Sequence, residues 1–160
     1  MNSKIVTQSE ISNVRPDMFG KKIVLAGGCY DILHYGHYAF LKAAADEGDI
    51  LLIALESDEF IQKRKHRHPV HTQQQRSEIL SGLSFVDYVI KLPYMKGDAD
   101  YSGLVDLIKP SIIAITDGDP QQENKRMHAE SVDAQIKIVT PVVKSFSTSS
   151  IIEYANLLRN

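Results

Sequence analysis

The 160-residue chain has a single cysteine, Cys29, so no intrachain disulfide can brace it and a reducing compartment is the simplest setting. It has no apolar run near the ~20 residues of a membrane helix, and residues 1–22 lack the continuous apolar core of a signal peptide. These absences lead us to expect a cytoplasmic protein without a membrane span. Neither sign of charge dominates. Eighteen Lys and Arg stand against 20 Asp and Glu, and the net charge of −2 gives nucleic acid no overall attraction. An anion site must therefore be local, and no nucleic-acid partner is expected. No internal repeat, low-complexity tract or Gly/Ser-rich linker divides the chain. Its 43% of hydrophobic residues can fill the core of one domain.

What is present is an alternation. Short apolar runs of strand type occur at Ile23 to Ala26, Ile50 to Leu55, Tyr88 to Ile90, Ile112 to Ile115 and Ile136 to Val139. They are nearly continuous rather than period-two, as in parallel strands covered on both faces. Helical stretches fall between and after them, at about 36–47, 73–83, 101–108, 120–132 and 150–158. Thr72 with Gln75 and Ser150 with Glu153 form capping-box pairs, and Pro120 suits a first helical turn. The fold class is therefore α/β: a single doubly wound domain with a five-stranded parallel sheet over residues 22–160, preceded by an arm at 1–21. Ligands on such sheets bind beyond the carboxyl ends of the strands, near a switch in strand order.

That edge is occupied by Gly27-Gly28-Cys29-Tyr30-Asp31-Ile32-Leu33-His34-Tyr35-Gly36-His37, which leaves the first of these strands and enters a helix. The glycines at 27 and 28 allow close backbone approach, and the helix start offers free N–H groups to phosphate. His34 and His37, three apart, point the same way, and Gly36 leaves the space between them clear. The pair could grip a phosphate, ligate a metal with a third partner such as His66, His68 or His71, or only cap the helix. Cys29 lacks an evident base, so we give it no nucleophilic role.

The stretch from Gly28 to His37 resembles the signature of the cytidylyltransferase-like nucleotidyltransferases, His-x-Gly-His after a Gly-x-Phe-Asp turn, with Tyr30 where Phe is usual. The resemblance runs over about residues 22–156 and implies a Rossmann-like fold whose paired histidines hold a triphosphate. It implies nucleotide contacts at Gly28, Cys29, Tyr30, Asp31 and Gly36, with His34 and His37 catalytic and no protein-held metal. It also implies a lysine after the second strand of that set. Lys63, Arg64 and Lys65 all qualify in the cation-rich loop 56–68, and Lys65 is our choice. Arg76 stands where the family often places an arginine, either on ligand or in a structural ion pair. Asp119, in Asp117-Gly118-Asp119-Pro120, matches a segment that lines the nucleotide site in similar proteins.

Phe146-Ser147-Thr148-Ser149-Ser150 opens the last helix. Hydroxyls and free N–H groups there suit β- and γ-phosphates, and the segment resembles the family's Ser-Thr-Thr. Val142 replaces an arginine common five residues before it, and Lys144 lies nearby. The implied reaction moves a nucleoside monophosphate from CTP or ATP, with Mg2+ bridging the phosphates, to a phosphorylated small molecule. The acceptor phosphate is already anionic, so no catalytic triad is needed. Residues 56–65 and the His-Tyr-Gly-His form resemble glycerol-3-phosphate cytidylyltransferase, which tilts our expectation to CTP. Residues 4–7 and 20–24 resemble heptose 1-phosphate adenylyltransferase instead. The resemblance further implies a homodimer. A nucleotide sensor without turnover would use the same residues.

Overall fold

The computed structural model describes residues 3–141 and 147–158. Six strands, β1 (Ile5–Thr7), β2 (Ile23–Gly28), β3 (Ile50–Leu55), β4 (Tyr88–Lys91), β5 (Ile112–Thr116) and β6 (Gln135–Thr140), form one sheet in the order β1-β4-β3-β2-β5-β6. Every pairing is parallel. Five strands were expected. The sixth, β1, pairs Val6 with Ile90 at the sheet edge, and at three residues it is too short to give an apolar-run signal. The segment read as an arm thus contributes a strand, and Val6, Ile11, Val14 and Met18 are all buried in the core.

The helices are α1 (Ile11–Val14), α2 (Tyr35–Ala45), α3 (Asp58–Lys65), α4 (Gln73–Ser81), α5 (Asp98–Ile108), α6 (Gln122–Ser131) and α7 (Thr148–Leu157). Alternate strand residues point to opposite faces, and both faces are covered. Leu25, Leu52, Ala54, Ile113 and Ile115 meet Leu104, Val105 and Ile108 of α5 and Ala129 of α6. Val24, Ala26, Leu51, Ile53 and Ala114 meet Phe40, Leu41 and Ala44 of α2 and Leu80 of α4. This is why the central strands read as unbroken apolar runs: all six residues of β3 are buried. Each such leucine or isoleucine contributes roughly 1.5–3 kcal/mol of burial.

Helix starts follow local chemistry. Thr72 and Gln75 make the capping box, with the Gln75 N–H donating to Thr72 Oγ1 at 3.3 Å and the Thr72 N–H donating to Gln75 Oε1 at 3.0 Å. Three expectations need correction. α7 starts earlier than expected, because Ser147 rather than Ser150 is the cap and accepts the Ser150 N–H at 3.0 Å. Pro120 lies in the turn before α6, not in its first turn. The supposed loop at 56–68 contains α3. Ser57 caps it, Asp58 and Glu59 fill its first turn, and Lys63, Arg64 and Lys65 fill its last, so the charges complement the helix dipole. Only Ile61 of α3 is buried, which left too little apolar periodicity to reveal it.

From β2 the chain builds outward to β3 and β4, then returns to the other side of β2 for β5 and β6. The order of winding therefore switches at β2, and a crevice opens beyond the carboxyl ends of β2 and β5.

Candidate active site

A crevice of about 290 Å3 occupies that switch point. Gly28, Cys29 and Tyr30 line it from the end of β2, and His34, Gly36 and His37 from the start of α2. Thr116, Asp119 and Lys125 line it from the β5–α6 side, and Thr140, Ser147 and Thr148 from the end of β6 and the start of α7. Both imidazoles and the amino end of the last helix thus face one space.

The glycine loop positions the histidines through packing. Tyr30 adopts φ +47°, uncommon for a residue with a side chain, and its buried ring lies beneath Gly28. A Cβ at Gly28 would lie 2.9 Å from that ring, so this glycine makes room for Tyr30 rather than only for a ligand. The Tyr30 ring meets His37 edge-on, with centroids 5.0 Å apart.

His34 is the N-cap of α2, its Nδ1 accepting the His37 backbone N–H at 3.3 Å. Nδ1 therefore carries no proton, and the Nε2–H of His34 is available as a donor. His37 Nδ1 donates to the Ile32 carbonyl at 3.2 Å, so its Nε2 holds a lone pair. The two rings stack with centroids 3.7 Å apart. Burial lowers the pKa of His34. Burial, and then the proximity of His34, pushes His37 down to about 4, against the opposing pull of the Ile32 carbonyl. Both rings are neutral near pH 7, and His37 must take up a proton before Nε2 can donate to a phosphate oxygen. Capping and phosphate gripping are compatible here, because they use different nitrogens of His34. Among the described residues no cluster of three or more His, Cys, Asp or Glu could hold a metal, and His71 is tied to the Asp31 carbonyl at 2.8 Å.

Asp31, Lys63, Arg64, Lys65, Arg76 and Ser149, all singled out in the sequence, stand away from the crevice lining. Asp31 turns inward, 1% exposed, and accepts from the amides of Val70 at 2.9 Å and His71 at 3.0 Å and from the guanidinium of Arg67. It anchors the 66–72 loop. Arg76 is wholly buried, donating to the carbonyls of His71 at 3.1 Å and Cys29 at 2.5 Å and to Asp58 at 2.8 Å. Of the two roles left open for it, the structural ion pair is the one observed. Lys65 is exposed on the last turn of α3, with its charge felt at the Cys29 thiol. Lys63 is held by Glu59 at 2.6 Å and lies over the Tyr94 ring, and Arg64 acts electrostatically on Glu56. Ser149 lines a separate shallow groove with Arg67 and Ile152. Val142, Lys144 and Phe146 lie outside the described residues.

Burial and the charge of Glu56 push the Cys29 thiol up to about 11, so it is protonated and a poor nucleophile. Lys125 was missed by sequence reasoning. It is the one Lys or Arg among the described lining residues, and it bonds Asp119 at 2.7 Å. No local signal distinguishes it from its surface neighbours on α6; only the placement of α6 against β5 turns it inward.

The sequence pattern of the cytidylyltransferase-like family matches residues 25–153. The bifunctional protein HldE of Helicobacter hepaticus is 34% identical over 154 residues, covering 96% of this chain and 30% of that protein. HldE of Aliarcobacter butzleri is 35% identical over 153 residues, covering 94% and 31%. The chain therefore spans under a third of the length of these relatives. Among solved structures, the lipopolysaccharide core biosynthesis protein of Thermoplasma volcanium is similar, at TM-score 0.62 and 28% identity over 76% of this chain and 97% of that one. Pantoate-beta-alanine ligase of Francisella tularensis shares the fold at TM-score 0.65 and 16% identity, over 99% of this chain and 80% of that one. No helix among the described residues is long and apolar enough to cross a membrane.

Proposed function

The chain belongs to the cytidylyltransferase-like family of nucleotidyltransferases, and from that premise we propose that it moves a nucleoside monophosphate from a nucleoside triphosphate to a phosphorylated small molecule. The observation that carries this is the shared crevice: His34, His37 and the amino end of α7 border one space at the switch point of the sheet.

The β- and γ-phosphates take the free N–H groups at the start of α7, where the helix dipole also favours anions. The α-phosphate lies over Gly36, against the edges of the two stacked imidazoles. An oxygen of the acceptor phosphate attacks the α-phosphorus in line, the bond to the bridging α–β oxygen breaks, and pyrophosphate leaves with the electron pair. The nucleophile is already anionic, so no base is required. The His34 Nε2–H and protonated His37 donate to oxygens on which charge accumulates, and Lys125 supplies a fixed positive charge. Lys65, whose charge reaches the Cys29 thiol, adds a second cation to the acceptor side. Mg2+ fits as an ion held mainly by the phosphates, because Asp119 is the single carboxylate among the described lining residues. When bound, it neutralises phosphate charge.

Replacing Lys125 by methionine should weaken triphosphate binding by ~10-fold to ~100-fold, the worth of one charge-assisted hydrogen bond. Calorimetric titration with a non-hydrolysable analogue checks this. An unchanged dissociation constant would remove Lys125 from the site.

For donor and acceptor we favour ATP and a heptose or related sugar phosphate. Residues 4–7 and 20–24 resemble heptose 1-phosphate adenylyltransferase, and the match to the HldE proteins, over 96% of this chain, takes in residues 20–24. The Thermoplasma volcanium relative is a lipopolysaccharide core biosynthesis protein. CTP with glycerol 3-phosphate is the second reading, favoured by Ser57-Asp58-Glu59-Phe60 and the His-Tyr-Gly-His form. The test is pyrophosphate release from each of the four nucleoside triphosphates across a panel of sugar and polyol phosphates. Turnover is expected with ATP and a heptose phosphate. Nucleotide binding without turnover on any pair would replace the enzyme with a sensor.

A further inference from the structure

Glu56 is a buried carboxylate with an unmet bond, tied through its backbone to Gly28 of the crevice lining. It follows β3 directly, 8% exposed, and its N–H donates to the Gly28 carbonyl at 3.0 Å, which sets it alongside the glycine loop. Its Oε1 accepts the Tyr101 hydroxyl at 2.7 Å. Its Oε2 is buried and has no hydrogen-bond partner among the described residues. Burial raises its pKa, while Tyr101 and the charges of Arg76, Lys125 and Arg64 oppose that rise. A half-satisfied buried carboxylate is costly to stability, and a glutamine or an apolar residue would fill the same space at less cost. Its charge is felt at Cys29, and it feels the charge of Lys125; both of these residues line the crevice.

We propose that Glu56 is the specificity residue of the acceptor subsite, with its Oε2 accepting a hydrogen bond from a hydroxyl of a polyhydroxylated acceptor while Tyr101 holds the carboxylate in place. This rests on the nucleotidyltransferase reading above. With the triphosphate on the β6–α7 side of the switch point, the β3 side is left for the acceptor. A carboxylate repels the acceptor's phosphate but takes its hydroxyls, so the group facing Glu56 is the sugar or polyol body. Buried sites built to bond a hydroxyl discriminate strongly against analogues that lack it.

The test compares wild type, Glu56→Gln and Tyr101→Phe on hexose and heptose 1-phosphates and their monodeoxy analogues, and measures affinity for a non-hydrolysable ATP analogue in parallel. Wild type should reject one monodeoxy position by at least ~100-fold. Glu56→Gln should raise the acceptor KM by ~10-fold to ~100-fold, lose most of that discrimination, and bind the ATP analogue as wild type does. Tyr101→Phe should show the same pattern more weakly. The inference is overturned if wild type accepts every monodeoxy analogue equally, a result that needs no variant to fold. It is also overturned if Glu56→Gln keeps the wild-type acceptor KM, or if it weakens the ATP analogue as much as the acceptor. Absence of transfer by wild type to any acceptor would instead remove the parent reading, and this one with it.

Discussion

His37→Ala will lower turnover by ~100-fold or more, the usual effect of removing one preorganised donor to a charged transition state. The fold should survive, because the ring's only bond in the described structure is to the Ile32 carbonyl and α2 keeps its cap on His34. His34 needs a different design, since alanine there would also remove the cap and ~1 kcal/mol of helix stability. His34→Asn retains an N-cap acceptor but lacks an Nε2–H. We expect it to lose turnover comparably to His37→Ala with little change in melting temperature. Full activity in both variants would remove the imidazoles from catalysis. The pKa shift of His37 adds a sign. In the free protein the folded value is about 4, below the ordinary imidazole value. Between those two values the unfolded chain binds more protons, so the contribution of His37 to stability grows as pH rises through that window. Triphosphate binding works the other way, because it draws a proton onto His37, and affinity should fall as pH rises through neutrality.

Asp31→Ala will destabilise the protein by about 3 kcal/mol or more, because it breaks a buried ion pair and leaves the Val70 and His71 amides without their acceptor. The 66–72 loop should come loose, and with it the His71 carbonyl that receives Arg76. Chemical denaturation measures the loss, and hydrogen exchange at Val70 and His71 locates it. Asp31→Asn should cost less, since one acceptor oxygen remains. Burial alone would raise the Asp31 pKa, but the His71 amide, the Arg67 guanidinium and the Val70 amide outweigh it and hold it below the usual carboxylate range. Its contribution is therefore complete above the ordinary aspartate value and lost as pH falls through the lowered one. A variant as stable as wild type would show that the loop is held by other contacts.

The central strands were legible because their residues face packed helices on both sides, so Ile50 to Leu55 reads as one apolar run. β1 was not legible, since three residues at an edge carry almost no pattern, and α3 was hidden by a surface of charge despite its cap and charge order. In the site, the glycine loop and the histidine pair were visible because backbone approach and helix-start chemistry need those residue types at that spacing. The separate fates of Asp31 and Arg76 were not visible. Both belong to the motif regions, yet their partners come from elsewhere in the chain, at Arg67 and Asp58. Lys125 carries no motif at all, and Glu56 stood out only as the first residue of the charged segment 56–68. They became candidates only when the sheet order brought α6 to the crevice and the end of β3 alongside its glycine loop.

The most direct measurement is an NMR titration of the imidazole resonances, in the free protein and with a saturating non-hydrolysable ATP analogue. His37 should titrate near 4 when free. With the analogue bound it should move above ~6, because a phosphate anion beside the ring favours the charged form, and the amides of Thr148 and Ser149 should shift in the same experiment. A His37 titration unmoved by the analogue, with those amides unperturbed, would mean that no triphosphate lies between the histidines and the last helix.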